Sequence, residues 1–275
     1  MIKSLAILIL VAAALYAAVC VLVYATQRSQ IYYPTPESHT IAATAIRLPV
    51  DGADLKIWNV ARDSGAAVIY FGGNAEDVGA NAATLGSTLP DRSLYLVNYR
   101  GYGGSSGSPD EKALFADALE VFEFVAARNQ RVAVIGRSLG AGVAAFLAAN
   151  RPVEKVVLIT PFDNLAAVAA SVFPYLPLSL LITDRFDSLT LAPRITAPTL
   201  VIIAANDEII GRSRTDALIA GFGERKPAIA VIPDAGHNDL QNYPEFGAAL
   251  DGFFHRGTPE RAATEPTRDN RAEKQ

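Results

Sequence analysis

The chain has 275 residues, 51 % of them apolar and 19 % charged, and a net charge of −4. So much apolar residue excludes disorder as a description of the whole chain, and the small negative charge leaves no electrostatic footprint for nucleic acid. One cysteine, Cys20, excludes an internal disulfide and a Cys-rich zinc site, and three histidines supply no evident metal cluster.

Leu5 to Ala25 is an uncharged apolar run of 21 residues, close to the roughly 20 that a membrane-spanning helix needs. Tyr24, Arg28, Tyr32 and Tyr33 follow, where interfacial rings and a cation belong. The run exceeds the roughly 7–15 apolar residues of a signal peptide. Residues 1–25 therefore read as a single-pass anchor, the alternative being a signal peptide cut after Ala25. Lys3 and the terminal amine precede the run and Arg28 follows it. That is a slight bias toward an inside N-terminus and an extracytoplasmic remainder. Residues 26–45, with Pro34 and Pro36, read as a linker.

From 46 to 256 the pattern is that of one α/β domain. AIRLPV and LKIWNV read as two antiparallel strands. Six further runs, at 67–71, 93–99, 131–136, 155–160, 199–205 and 228–233, are almost continuously apolar. Strands buried on both faces of a parallel sheet look like this. Helical stretches at about 77–89, 110–128, 138–150, 212–222 and 239–255 lie between and after them, which gives a doubly wound sheet. Residues 161–198 are too many for a connection and read as a small apolar helical insertion over one end of the sheet. From Gly257 to Gln275 large apolar residues are missing, and the tail reads as disordered.

Gly-x-Ser-x-Gly occurs twice, at Gly103–Gly107 and at Gly136–Gly140. Nucleophilic chemistry needs the serine on a sharp turn between a buried strand and a helix. RVAVIG-R-S-LGAGVAAFLAAN meets that condition at Ser138. Ser105 lies in a Gly/Ser loop and reads as a loop serine. A base that titrates near neutrality points to histidine. His39 precedes the domain, and His255 ends the last helix, where a cation suits the dipole. His237 follows the last strand, at the carboxyl ends where chemistry gathers in open α/β sheets. The carboxylate that orients it is Asp207, after the strand at 199–205, with Asp163 as the alternative. Both obey the order Ser, Asp, His. On this assignment Asp163 caps a helix of the insertion and Glu208 is solvated. The oxyanion would take N–H groups from Leu139 and from Asn74, which follows the strand ending in Phe71-Gly72-Gly73.

Gln30-Ile-Tyr-Tyr-Pro-Thr-Pro-Glu37, Phe71-Gly-Gly-Asn-Ala75, Asn98-Tyr-Arg-Gly-Tyr-Gly-Gly-Ser-Ser-Gly-Ser-Pro109, Gly136-Arg-Ser-Leu-Gly140, Pro161-Phe-Asp-Asn-Leu165, Asp184-Arg-Phe-Asp-Ser188 and Gly236-His237 occur in that order. Together they resemble the Bem46-like, ABHD-type α/β-hydrolases from about 27 to 255. The resemblance implies the α/β-hydrolase fold with an eight-stranded, mostly parallel sheet, cofactor-free serine hydrolase chemistry, and a frequent N-terminal membrane anchor. Lipid esterases and protein depalmitoylases are among the family. Two positions depart from its pattern. Gly72-Gly73-Asn74 stands where His-Gly-Asn is usual, and Gly211 where a proline is usual.

The expected function is hydrolysis of acyl esters or thioesters near a membrane. A serine peptidase, a non-catalytic binding protein on the same fold, and acyl transfer to an acceptor other than water are the alternatives. The apolar insertion would supply an acyl pocket, and Arg137 and Arg185 are free on sequence grounds to meet an anionic head group.

Overall fold

A computed structural model describes residues 2–40 and 42–255. The polar tail from Gly257 lies outside the described residues. Eight strands form one sheet: β1 (Thr44–Val50), β2 (Ala53–Val60), β3 (Ala66–Phe71), β4 (Ser93–Val97), β5 (Arg131–Arg137), β6 (Val156–Ile159), β7 (Thr199–Ala204) and β8 (Ala228–Ile232). Their spatial order is β1-β2-β4-β3-β5-β6-β7-β8. β1/β2 and β2/β4 are antiparallel, and every pair from β4/β3 to β7/β8 is parallel. The doubly wound, mostly parallel sheet expected from the apolar runs is therefore the fold.

Its two faces are covered separately. Ala67, Ile69 and Phe71 of β3 point into a core shared with α3 (Glu111–Ala126), α4 (Leu139–Asn150) and α8 (Arg212–Gly221). Val68 and Tyr70 point the other way, onto α2 (Ala82–Thr88) and α9 (Pro244–His255). Burial on both faces explains why β3, β4, β6 and β7 carry no polar alternation. β8 differs. It is the sheet edge, and Ile229 and Val231 are exposed, so its run is not buried on both sides as its composition suggests.

The insertion folds as α5 (Leu165–Val172), α6 (Leu178–Leu181) and α7 (Ser188–Leu191). Its first cap is Asn164, whose side chain accepts from the N–H groups of Ala166 and Ala167 at 2.9 and 3.3 Å. Asp163, expected in that role, is one residue too early. It pairs with Arg214 at 3.2 Å.

The N-terminal helix α1 (Ile2–Ile31) is longer than the apolar run. It continues through the first residues of the segment read as a linker, because Thr26 to Ile31 contains no Gly or Pro to stop it. Its end is tied to the domain. Gln27 is 7 % exposed. It donates to the Leu181 carbonyl at 3.1 Å and accepts from the Thr183 N–H at 2.7 Å. Arg28 lies 3.4 Å from Asp184, which also accepts from the Tyr32 hydroxyl at 2.9 Å. Burial, with Asp184 close by, raises the Tyr32 phenol far above its ordinary value and keeps it a donor. Much of the distinctive sequence around 27–37 and 184–188 thus builds a collar between α1 and the domain.

Candidate active site

β5 ends and α4 begins within one residue. Ser138 takes φ 51° and ψ −114°, a left-handed backbone rare for a residue with a side chain. Such strain costs about 1–3 kcal/mol and persists only where the surroundings enforce it. Here they do. A Cβ on Gly136 would collide with the Gly140 carbonyl, and one on Gly140 with the Phe71 carbonyl. Glycine at both positions lets strand, turn and helix close up. The turn lifts the Ser138 hydroxyl off the sheet beside the free N–H groups that begin α4.

His237 arrives on the loop after β8 and is 3 % exposed. Its Nε2 lies 3.0 Å from Ser138 Oγ. Its Nδ1 lies 2.9 and 3.0 Å from the two oxygens of Asp207. That carboxylate also accepts from the N–H groups of Ile209 and Ile210 at 3.0 and 2.7 Å, which fixes it in the loop after β7. The structure thus brings Ser138, His237 and Asp207 into one chain of contacts. Asp163 faces Arg214 instead. Ser105 is buried in its loop, donating to the Asn98 carbonyl at 2.9 Å and accepting from the Lys56 N–H at 2.8 Å. Glu208 is exposed, yet it accepts from the His237 N–H at 3.1 Å. It therefore positions the histidine loop, which its sequence context did not indicate.

Asn74 and Leu139 line the cavity beside Ser138. The Asn74 side chain has a second occupation. It donates to the Ile31 carbonyl, and its oxygen accepts from the Tyr33 N–H at 3.0 Å and the Tyr102 hydroxyl at 2.9 Å. Burial pushes the Tyr102 phenol up to about 12, so it remains a donor at neutral pH. The end of α1 is thereby bonded to the turn after β3.

Glu76 was not singled out from sequence. It accepts from the Gly73 N–H, from Asn81, and from the Tyr70 hydroxyl at 2.6 Å, and it pairs with Arg137 at 3.3 Å. A glutamate reaching back three residues to a backbone N–H is half of a capping-box contact, but Gly73 starts no helix, so no sequence signal marked it. Arg137 also donates to the His237 carbonyl at 3.0 Å. It therefore clamps the turn after β3 to the histidine loop and is not free for a head group. Arg185 is also engaged, donating to the Ser179 carbonyl. The family's usual histidine at 72 has no room here, since a Cβ on Gly72 would lie 2.5 Å from Val78 Cγ1.

Glu76→Gln puts an amide group among donors and leaves Arg137 without its counter-charge. Breaking a buried pair this way costs about 3 kcal/mol or more. If the turn after β3 donates to a developing oxyanion, displacing it should cost about 10²-fold in kcat. Urea unfolding and steady-state kinetics read the two effects separately. Full kcat in a destabilised variant would show that Glu76 supports the fold alone.

Ser138 and His237 form the floor of a cavity of about 660 Å³. Its walls come from Val23, Gln27 and Ile31 of α1 and from Phe173, Leu176 and Ile182 of the insertion. Apolar walls around a few placed polar groups are the usual make-up of a small-molecule site.

A family model described as the alpha/beta hydrolase fold matches residues 66–179. A Mycobacterium tuberculosis protein, Rv2307c, itself uncharacterized, is 36 % identical over 239 residues, covering 80 % of this chain and 84 % of the relative. The alpha/beta hydrolase domain-containing protein 17B of Homo sapiens is 31 % identical over 193 residues, covering 68 % of this chain and 65 % of the relative. Among solved structures, the Pyrococcus furiosus esterase Pf2001 superposes with a TM-score of 0.67 at 19 % identity, over 83 % of this chain and 97 % of the esterase. A soluble variant of monoglyceride lipase from Saccharomyces cerevisiae gives 0.62 at 14 % identity, over 83 % and 100 %. At such identities the structural likenesses show the fold.

Proposed function

We propose that this chain, which belongs to the α/β-hydrolase fold family, is a serine hydrolase that cleaves acyl ester or thioester bonds while α1 holds it in a membrane. The observation that carries the reading is the contact chain from Ser138 Oγ to His237 Nε2 at 3.0 Å and from His237 Nδ1 to Asp207 at 2.9 Å. His237 takes the Ser138 proton as Oγ attacks the carbonyl carbon, and Asp207 stabilises the resulting imidazolium. The N–H groups of Leu139 and Asn74 receive the oxyanion. His237 then hands its proton to the leaving alcohol or thiol, and the acyl group stays on Ser138 as an ester. Water, deprotonated by His237, attacks that ester and releases the carboxylic acid.

The apolar cavity supports an acyl substrate over a peptide. The anchor is supported by mean hydropathy of 2.9 over an 18-residue window of α1 whose side chains are unburied. p-Nitrophenyl esters from acetyl to palmitoyl, set against peptide anilides, test the substrate class. Hydrolysis rising with chain length into the medium or long range is expected. Faster cleavage of anilides than of any ester would make the protein a peptidase.

A further inference from the structure

Outside α1, most of the strongly exposed large apolar side chains belong to the insertion. Val172 is 62 % exposed, Tyr175 89 % and Leu180 79 %. They lie in an uncharged stretch from Leu165 to Thr183. A monomeric soluble surface rarely shows so concentrated an apolar tip.

This tip rests on α1. Val23 and Ile31 pack against a small core made by Ala166, Leu178 and Ile182. Further along the helix, the Tyr16 hydroxyl donates to the Tyr175 carbonyl at 2.8 Å. Tyr16 stands nine residues before Ala25 in the apolar run, which at 1.5 Å per residue is about 14 Å along the helix. The hydrocarbon core is about 30 Å thick, and Leu5–Ala25 as a helix is about that long. A helix that crosses with this run in hydrocarbon carries Tyr175 about halfway into the layer. The chemistry of the tip suits that depth. Pro174 and Pro177 have no N–H to leave unsatisfied, and the N–H groups of Phe173, Leu176 and Leu178 are bonded within the segment. Arg185, at the end of the stretch, keeps its guanidinium on the Ser179 carbonyl.

The cavity above Ser138 lies in the seam between α1 and this tip, with Val23 and Ile31 on one side and Phe173 and Leu176 on the other. We infer that the α5–α6 tip is immersed in the bilayer leaflet crossed by the domain-proximal half of α1, and that α1 is one wall of an acyl site that a long-chain ester or thioester enters from the hydrocarbon. The substrate's acyl chain then exchanges lipid contacts for contacts with Val23, Ile31 and Phe173 without passing through water. Its carbonyl reaches Ser138 at the head-group level. The helix end and the oxyanion turn are already joined there through Asn74 and the Ile31 carbonyl. The entry route rests on the serine hydrolase reading, whereas immersion of the tip does not.

Full-length protein in phosphatidylcholine vesicles tests both parts. Trp58 is the single tryptophan and is buried in the domain, so Leu180→Trp adds one reporter at the tip. Phosphatidylcholine brominated in mid-chain should quench the emission of this variant at least twofold more than that of the wild type. Equal quenching overturns immersion, with or without turnover. Val172, Tyr175 and Leu180 stand outside the cavity. The variant Val172→Asp/Tyr175→Asp/Leu180→Asp should hydrolyse soluble p-nitrophenyl butyrate within twofold of wild type. It should lose at least tenfold on p-nitrophenyl palmitate carried in the vesicles. An unchanged rate on palmitate overturns entry from the bilayer. A wild type that turns over neither ester defeats the hydrolase reading, and the quenching result still decides immersion.

Discussion

Ser138→Ala should lower kcat for an activated ester by about 10⁶-fold, the scale of losing the nucleophile from a cooperating triad. On the proposed mechanism the loss is this large because His237 and Asp207 act through Ser138 Oγ, and neither can replace it. The fold should survive. The collisions that force the turn involve Gly136 and Gly140, not the hydroxyl, and alanine bears the φ of 51° at a cost similar to serine's. Circular dichroism and urea unfolding unchanged from wild type would show this. Activity within tenfold of wild type, in protein free of contaminating esterase, would remove Ser138 from the mechanism. His237→Ala should be nearly as damaging, since the proton then has no acceptor at 3.0 Å.

Asp207→Asn should cost about 10⁴-fold in kcat. An asparagine amide can turn its NH₂ toward His237 Nδ1. The imidazole then adopts the tautomer with a proton on Nε2, which cannot accept from Ser138. KM should move little, because Asp207 does not line the cavity. Asp163→Asn is the matched control. Its carboxylate is buried and pairs with Arg214 at 3.2 Å, away from His237, so kcat should stay within threefold, while stability should fall by about 1–3 kcal/mol as a buried charge-assisted contact is lost. The reverse ranking of the two variants would make Asp163 the acid.

The sheet was legible because burial on both faces writes a strand as an unbroken apolar run, and five such runs became parallel strands in sequence. β8 misled because composition records which residues are apolar and not whether anything covers them. The strand, turn and helix around Ser138 were legible because that succession is a local pattern. The loops that carry His237 and Asp207 were legible from their places after strands, although two aspartates met the same criterion. Only three-dimensional distance separates them: one touches the imidazole and the other an arginine on α8. Glu76, Arg137 and the Asn74 side chain form contacts across 61, 100 and 43 positions of sequence, and no periodicity reports such pairings. The end of α1 was missed for a related reason. Apolar content stops at Ala25, but the helix is held onward by polar bonds from Gln27 and Arg28 to the insertion.

The most direct test of the central claim is covalent labelling of the folded, full-length protein with a fluorophosphonate, followed by mass spectrometry of its peptides. A single adduct on Ser138, formed with wild-type protein and at least a hundredfold slower with His237→Ala, is the predicted result. Folded protein that takes up no label, or takes it on another serine such as Ser105, would contradict a catalytic triad of Ser138, His237 and Asp207.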